Sequence, residues 1–480
     1  MMPRSLPNLP LRSLPSRRRF LNQTLGGIGA IALAELMASE GWAADSAVGA
    51  PRQSHFPGKA KNVILLFMAG APSQMDLFYP KPVLRKLHGQ PLPESLTRDL
   101  KLAFLKPNAT VMGSPRTFQR HGQAGMYFSD YVPRMATIAD DITFVHSMVT
   151  DVVNHTPGQS LMMTGSPIAG RPTIGAWTVY GLGSESKDLP GFVVLSAGRG
   201  TVNGTENWSS GFLPSTYRGV EFRSSGDPIL FLSNPAGVSR EMQRAKLDAI
   251  RDMNQERVAA TGDHEIEARI ASYELAFRMQ ASAPELLDFT SETAQVKESY
   301  GVENETTRAF GTNCLLARRM VERGVRFVML THSNWDDHSN LNANLKKNCA
   351  ATDQPVAALI RDLKQRGLLD STLVIWGGEF GRTSLAEIRR PDEPETAGRD
   401  HHPDGFTIWM AGGGIKPGIQ IGKTDDLALH VVEDKVHMHD LQATILHCLG
   451  MDHRRLTYKY QGREFRLTDV GGNPVTRLLA

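Results

Sequence analysis

The sequence predicts an α/β fold in which helices cover both faces of a mostly parallel sheet. Six apolar runs with the length of strands occur along the chain, and helical patterns lie between them. This alternation is typical of parallel sheets, whose central strands are buried on both faces. The 480 residues are 41% hydrophobic and 21% charged, which is enough apolar material for one large domain or two ordinary ones.

The predicted strands follow one another in chain order. The first, residues 63–68, is an unbroken apolar run that ends at Gly70 and suits the centre of the sheet. The other five are predicted at residues 142–145, 192–195, 325–330, 373–376 and 406–410. Helices are predicted at about residues 315–323, 356–365 and 440–449.

Residues 237–300 interrupt this alternation. They are polar and helix-forming, over 240–254 and 264–280, and they contain no strong strand pattern. We therefore expect a helical insertion on the sheet domain, at about 237–300.

Residues 1–44 predict an export signal. Arg17 and Arg18 precede a short stretch of small apolar residues, and this stretch is interrupted by Glu35, so it is too short to span a bilayer. The paired arginines resemble a twin-arginine signal. We expect export by the twin-arginine route to the periplasm or the extracellular space, without stable membrane insertion after cleavage. The polar residues 45–60 are predicted to be a linker.

The charge balance argues against nucleic acid as the partner. The chain has 53 Lys and Arg against 50 Asp and Glu, a net charge of +3. The surplus lies in residues 1–44, and the remainder carries 48 charges of each sign. A neutral body offers no basic surface to a phosphate backbone. The three cysteines form no CxxC pair, which disfavours a disulfide framework or a cysteine zinc site.

Acidic residues and histidines cluster next to the predicted strands. Asp336 and His338 follow the fourth predicted strand, Glu379 follows the fifth, and His401 and His402 precede the sixth. Ligands of open α/β sheets gather beyond the carboxyl ends of the strands, so we expect these side chains to converge. Such residues suit zinc, calcium, manganese or a similar divalent ion, which can polarise a phosphoryl or sulfuryl oxygen.

Each of these residues also has a structural interpretation. Asp336 and His338 could form a turn cap and a surface imidazole, and the two adjacent histidines could lie in a loop. Glu379 could be a buried carboxylate paired with Arg382. Their occurrence next to successive strands favours the metal site over these alternatives.

The residues from Asn154 onward predict the start of a helix. Thr156 is followed by Pro157, and the free N–H groups of a helix start favour an anion. An ordinary cap with proline at the first helical position is the alternative, and both can hold. The positive end of the helix disfavours a charged imidazole, so we expect the ring of His155 to be neutral near pH 7.

Three stretches carry a resemblance to a known family: residues 67–76, residues 171–177, and residues 377–383 together with 398–402. They resemble the domain of unknown function 1501 family, whose members are secreted bacterial proteins. The resemblance covers nearly the whole mature chain. That family in turn resembles the alkaline phosphatase and sulfatase superfamily, which implies an alkaline-phosphatase-like α/β/α sandwich over residues 61–480.

In that superfamily a nucleophile opens a helix with the pattern Cys or Ser, then Thr-Pro, and later Thr-Gly. Thr156, Pro157, Thr164 and Gly165 match this pattern, and His155 stands where the Cys or Ser nucleophile would be. The resemblance therefore implies His155 and Thr156 as candidate catalytic residues. Imidazole can form covalent phosphoryl intermediates, or it can act as a general base.

The resemblance also bears on the metal ligands. Asp336 and His338 resemble an Asp and a His that follow a middle strand of the superfamily, and His402 or His401 resembles a later His. Two departures stand out: Phe380 replaces a ligating His, and the carboxylate expected directly after the first strand is absent. The nearest candidate for that carboxylate is Asp76.

Three hypotheses follow for the site. One metal is retained, held by Asp336, His338 and His402; or His155 serves as nucleophile or general base; or catalysis is lost and binding retained. The expected function is a secreted metal-dependent hydrolase of phosphate or sulfate esters, acting on a small molecule or a glycan. The alternative is a non-catalytic extracytoplasmic binding protein that reuses the fold.

Overall fold

The computed structural model places the first apolar run of the sequence at the centre of a sheet, where it is buried along its whole length. The structure describes residues 50–105, 109–198, 200–223, 229 and 233–480. The export signal predicted for residues 1–44 lies outside the described residues, and so do residues 45–49 of the predicted linker.

The described strands, in chain order, are β1 (Asn62–Met68), β2 (Phe118–His121), β3 (Met126–Ser129), β4 (Ile142–Val149), β5 (Phe192–Ala197), β6 (Val220–Phe222), β7 (Phe327–His332), β8 (Thr372–Gly377), β9 (Gly381–Glu387), β10 (Gly398–His402), β11 (Phe406–Ala411), β12 (Gln420–Ile421), β13 (Lys423–Thr424), β14 (Val431–Glu433), β15 (Val436–His437), β16 (Tyr458–Tyr460) and β17 (Arg463–Phe465).

The described α-helices are α1 (Gln74–Leu77), α2 (Pro82–Lys86), α3 (Glu94–Thr97), α4 (His155–Thr164), α5 (Ile174–Leu182), α6 (Arg240–Thr261), α7 (His264–Leu287), α8 (Ala294–Tyr300), α9 (Arg308–Glu322), α10 (Leu341–Gln365) and α11 (Met438–Cys448). Short 3₁₀ helices lie at Met135–Asp141, Gly204–Trp208, Ser215–Tyr217, Leu369–Ser371, Pro394–Thr396 and Thr476–Leu478. Among the described residues, no helix is both long and apolar enough to span a membrane.

Nine of the described strands form one sheet in the order β12–β4–β11–β8–β1–β7–β5–β6, with β15 added to β4. At its centre, Leu65 of β1 lies between Met329 of β7 and Ile375 of β8, in parallel register. All neighbours in the sheet pair in parallel except β11, which is antiparallel to both β4 and β8. The six predicted strands are β1, β4, β5, β7, β8 and β11, so the predicted mostly parallel sheet is confirmed.

Helices cover both faces of this sheet. Ile64, Leu66 and Met68 belong to one buried cluster, which includes residues of α9 and α10. Leu65 and Phe67 belong to a second cluster, with residues of α4, α5 and α11. Since successive side chains of a strand point to opposite faces, the two clusters lie on the two sides of the sheet. The architecture is the predicted α/β/α sandwich.

The helices expected near 237–300 are present as the long pair α6 and α7. Ser239 accepts a backbone N–H at the start of α6, and Gly262 ends that helix with φ 67. Asp263 then caps the start of α7, as the short polar side chains of N-caps commonly do. An ion pair of 2.6 Å joins Arg244 of α6 to Glu274 of α7.

The described part of the predicted linker contains no helix or strand, and it is hydrogen-bonded to the domain. The Arg52 N–H donates to the Leu182 carbonyl at 2.8 Å, and the Ala60 N–H donates to the Cys448 carbonyl at 2.9 Å. These backbone bonds hold residues 52–60 against the sheet domain.

Candidate metal centre

Three histidines present their Nε2 atoms to one carboxylate oxygen. The Oδ1 atom of Asp336 lies 2.8 Å from Nε2 of His338, 3.0 Å from Nε2 of His155 and 3.3 Å from Nε2 of His401. The Nε2 atoms of His338 and His401 are 3.0 Å apart. One donor atom from each of these four residues lies within 4.8 Å of the other three, which is the spacing of groups that share one ion.

The sheet topology brings these residues together. His155 opens α4, which follows β4; Asp336 and His338 follow β7; and His401 lies in β10, which precedes β11. The carboxyl ends of β4 and β7 and the start of the antiparallel β11 lie at one edge of the sheet. Gly70, after β1, has φ 111, and a Cβ there would come within 2.5 Å of the Asp336 backbone nitrogen. Only glycine permits this close approach of the two loops.

Each histidine is held at its other ring nitrogen. Nδ1 of His155 lies 2.7 Å from Oε1 of Glu379. Nδ1 of His338 lies 2.5 Å from Oε2 of Glu387, and Nδ1 of His401 lies 2.6 Å from the carbonyl oxygen of Val153. All three partners are acceptors, so they assign the proton to Nδ1 and leave the Nε2 lone pair facing the cluster. This outer arrangement is typical of metal-binding histidines.

Glu379 lies outside the four-residue cluster and orients His155. Its side chain is fully buried, and it accepts hydrogen bonds from the Gly70 N–H at 3.2 Å and from Nε2 of Gln159 at 3.1 Å. Burial raises the pKa of Glu379, but the hydrogen bond and charge of His155 outweigh burial and hold this pKa below its ordinary value. Glu379, which the sequence predicted as a metal ligand, therefore contacts Nδ1 of His155 on the side away from the cluster.

The ring of His155 differs from the sequence-based expectation. Burial lowers its pKa, but the adjacent carboxylates of Asp336 and Glu379 outweigh burial and raise the pKa of His155 to about 9. Without a cation in the cluster, the ring therefore carries a second proton, on Nε2, near pH 7, in contrast with the neutral ring expected from its place at a helix start. A cation that binds to Nε2 displaces this second proton. The two carboxylates dominate because they touch both ring nitrogens, whereas a helix dipole supplies only about half a charge.

Asp336 is the exposed member of the cluster, with 44% of its side chain accessible to solvent. It pairs with Nη2 of the fully buried Arg382 at 2.6 Å. Arg382 also donates to the carbonyls of Ala71, Arg399 and Trp335. The structural alternative of a pair between Glu379 and Arg382 does not form, because Arg382 ties together the loops that carry Asp336.

Besides Glu379, three predicted site residues lie outside the cluster. Asp76 is buried against Arg399, with its Oδ2 atom 2.8 Å from Arg399 Nε. His402 is buried and its Nε2 atom has no hydrogen-bond partner in the described part of the chain. Neighbouring side chains of a strand point to opposite faces, so β10 directs His401 and not His402 to the cluster. Thr156 is exposed beside His155, and its carbonyl accepts a hydrogen bond from Asn203.

Two residues near the cluster were not among the predicted site residues, although Asp400 lies in the predicted polar stretch with His401 and His402. Glu387 ends β9 and Asp400 lies in β10, and with His338 they form a second close group of potential ligands. The hairpin of β9 and β10 is outside the predicted apolar runs, because its strands are rich in polar residues. The signal that indicates Glu387 is a polar strand pattern just before the two adjacent histidines.

The donor set fits a divalent cation. Three imidazole nitrogens and one carboxylate oxygen are ligands that zinc and similar ions accept. The buried Nε2 atom of His155 makes no hydrogen bond, although it lies 3.0 Å from Asp336 Oδ1. A buried nitrogen in this position is satisfied by an ion placed between the four donors.

The fold and the cluster together define an α/β/α protein with a candidate divalent-metal centre at the carboxyl edge of its sheet. A family model described as "Protein of unknown function (DUF1501)" matches residues 60–479. The chain belongs to this family.

Solved structures with a similar arrangement include the lipoteichoic acid synthase LtaP from Listeria monocytogenes, at 9% identity and TM-score 0.38, covering 90% of this chain and 79% of that chain. They also include the PsFucS1 sulfatase from Pseudoalteromonas sp., at 12% identity and TM-score 0.36, covering 95% of this chain and 76% of that chain. TAB5 alkaline phosphatase is similar at 11% identity and TM-score 0.33, covering 83% of this chain and 99% of that chain. No curated protein matches the sequence. The chemistry of this chain therefore rests on its own residues.

Proposed function

We propose that this protein is a metal-dependent hydrolase of phosphate or sulfate esters, acting outside the cytoplasm on a small molecule or a glycan. One observation carries the proposal: three Nε2 atoms surround Asp336 Oδ1 at 2.8–3.3 Å, and each of the three rings is fixed at Nδ1 by an acceptor. These donors suit zinc, manganese and similar divalent ions.

His155, His338, His401 and Asp336 would hold the cation. When bound, the cation polarises the ester oxygen and lowers the pKa of water. Glu379 and Glu387 keep the imidazoles oriented. With both nitrogens of His155 engaged, water becomes the nucleophile. Its oxygen would bond to phosphorus or sulfur while the bond from that atom to the ester oxygen breaks. A proton of the water would pass to the ester oxygen, which leaves as an alcohol.

The ester would approach from the side of Asp336, the exposed member of the cluster. The start of α4 supports binding of its anionic group there, since the first N–H groups of a helix have no partner within the helix. Thr156 lies in this first turn and is exposed, so we assign it contact with the ester oxygens.

The test is metal analysis of protein purified without chelators, followed by hydrolysis of aryl phosphates and aryl sulfates before and after chelation. We expect about one divalent ion per chain and hydrolysis that chelation removes and the ion restores. Protein that holds the ion in the cluster and hydrolyses neither class of ester contradicts the hydrolase.

That second outcome is the one expected of the non-catalytic binding protein. The observation that favours this alternative is the imidazole at the first position of α4, which is hydrogen-bonded at Nδ1 and close to Asp336 at Nε2. Because His155 leaves no free nucleophilic side chain at the first position of α4, this helix start is suited to binding an ester without cleaving it, as well as to hydrolysis by water.

Export by the twin-arginine route is also part of the proposal. Replacing Arg17 and Arg18 together by lysine is expected to leave the precursor in the cytoplasm, because the route requires the paired arginines. Cell fractionation of the double variant measures this. Normal processing and export of the double variant would contradict the twin-arginine route.

A further inference from the structure

A phenylalanine lies beside the candidate metal centre with most of its ring in solvent. Phe104 is 61% exposed. The centre of its ring lies 5.0 Å from that of His338 and 5.6 Å from that of His401, with the planes at 88° and 74°. The ring therefore meets two of the candidate ligands at steep angles, and most of its surface is open to another group.

The backbone around Phe104 is fixed by one buried carboxylate. Oδ2 of Asp400 accepts the N–H groups of Ala103, Phe104 and Leu105 at 3.0, 2.8 and 3.0 Å. Oδ1 of Asp400 accepts the N–H of His401 at 2.8 Å. Three successive N–H groups on one anion form a strong, charge-assisted anchor. The same strand thus carries a candidate metal ligand and the anchor of Phe104.

The flanking residues differ from Phe104 in their surroundings. Leu100 and Leu105 pack against a small apolar cluster that includes Leu84 and Leu385, whereas Phe104 faces the histidines. Anchoring an exposed aromatic ring at this point leaves apolar surface in water that the fold does not bury. A single exposed apolar residue is ordinary, but this one is held against two candidate ligands by a buried anion.

We infer that Phe104 contacts the organic group of the substrate, and that the substrate is a phosphate or sulfate ester whose organic group is a ring with an apolar face. An aryl ring and the apolar face of a sugar ring share this chemistry, since both stack on an aromatic face. This inference rests on the proposed function and deepens it, because it names the part of the ester that distinguishes one substrate from another.

The test uses non-hydrolysable ligands and the full mature protein loaded with its metal. Calorimetry measures the affinities of phenylphosphonate and methylphosphonate, and of benzenesulfonate and methanesulfonate, for the wild-type protein and for Phe104→Ala, Phe104→Leu and Phe104→Trp. We expect the wild type to prefer the phenyl member of the pair that matches its ester class, by about tenfold for an aromatic contact. Phe104→Ala and Phe104→Leu should lose this preference, and Phe104→Trp should keep it.

Metal content and affinity, measured in parallel, separate the two levels of the proposal. Phe104→Ala should retain the metal stoichiometry and the affinity for the methyl ligand. If Phe104→Ala weakens both members of a pair equally, Phe104 only shields the histidines, and the inference is wrong while the hydrolase proposal stands. If the metal-loaded wild type binds neither phosphonates nor sulfonates, the proposed function is contradicted and the inference with it.

Discussion

The protein contains two clusters of charged side chains that are built in opposite ways. In the first, called here the arginine cluster, the buried Arg318 pairs with Glu292 at 2.7 Å, with Glu322 at 2.7 Å and with Asp362 at 3.0 Å. Arg366 extends the cluster by pairing with Asp362 at 2.7 Å. Every carboxylate here faces a guanidinium, which keeps its proton at any ordinary pH.

The second, the histidine cluster of His155, Asp336, His338 and His401, places imidazoles where the first has guanidinium groups. An imidazole can give up its Nε2 proton and offer a lone pair, whereas arginine has no acceptor atom. The first cluster can only hold elements together, and the second can also take up a cation. Residue type and orientation therefore distinguish a structural ion-pair network from a candidate functional site, although both are dense in charge.

The largest effect on stability is expected from the arginine cluster. Arg318→Met removes the central cation and leaves buried carboxylates with fewer partners. Since breaking a buried ion pair by removing one partner typically costs 3–5 kcal/mol, we expect the free energy of unfolding to fall by about 3 kcal/mol. Urea denaturation measures this change. The metal affinity of Arg318→Met should stay at the wild-type value. A loss of metal binding by the folded variant would contradict a purely structural role for the arginine cluster.

The largest effect on metal binding is expected from His338. His338→Ala deletes one donor of the histidine cluster, so we expect metal affinity to fall by about a hundredfold or more, beyond the usual effect of outer-shell changes. Equilibrium dialysis measures the affinity. His402→Ala is the matched control, because His402 is as buried as its neighbours in β10 but lies apart from the cluster. Equal losses in the two variants would contradict the assignment of ligands.

A smaller effect on the same measurement is expected from Glu387. Glu387→Gln keeps the size of the side chain but weakens the acceptor 2.5 Å from His338 Nδ1. We expect metal affinity to fall by about tenfold, as for other second-layer partners of ligating histidines. Glu393→Gln is the control, because Glu393 forms an exposed ion pair with Arg390. An unchanged metal affinity in Glu387→Gln would show that His338 binds the metal without help from the acceptor at its Nδ1.

Much of the fold could be predicted because the central strands are continuous apolar runs. β1 and β8 show this most clearly, since burial on both faces leaves little room for polar residues. The edge strands β6 and β12 and the hairpin of β9 and β10 could not be predicted in this way. These strands are short or rich in polar residues, and they form because they pair with other strands rather than because of a local hydrophobic pattern.

The candidate site could be predicted in part from the positions of polar residues next to the predicted strands. Residues that follow strands must meet at one sheet edge, and the structure does bring Asp336, His338 and His401 together there. The choice between His401 and His402 depends on the register of β10, which a single sequence does not show. Likewise, the loop conformations decide that Glu379 meets Nδ1 of His155 and Asp336 lies near Nε2, and a single sequence does not show these conformations.

The smallest expected effect concerns a third kind of histidine environment, that of His146 in β4. This ring stacks on Tyr79 with centroids 4.2 Å apart, and its Nδ1 lies 3.0 Å from Oγ1 of Thr407. Burial lowers the pKa of His146 to about 3. The unfolded chain binds a proton at this residue near pH 6.5, and the folded protein does not until about pH 3. The unfolded state therefore holds more protons between these values, so acidification through this window destabilises the fold.

Between pH 6.5 and pH 5.5, His146 should lower the free energy of unfolding by about 1 kcal/mol. His146→Gln has no titrating ring at this position and should lack this contribution, and the difference between the two proteins cancels the titration of all other groups. Urea denaturation at the two pH values measures it. If wild type and His146→Gln lose the same free energy over this interval, His146 is not held neutral by burial.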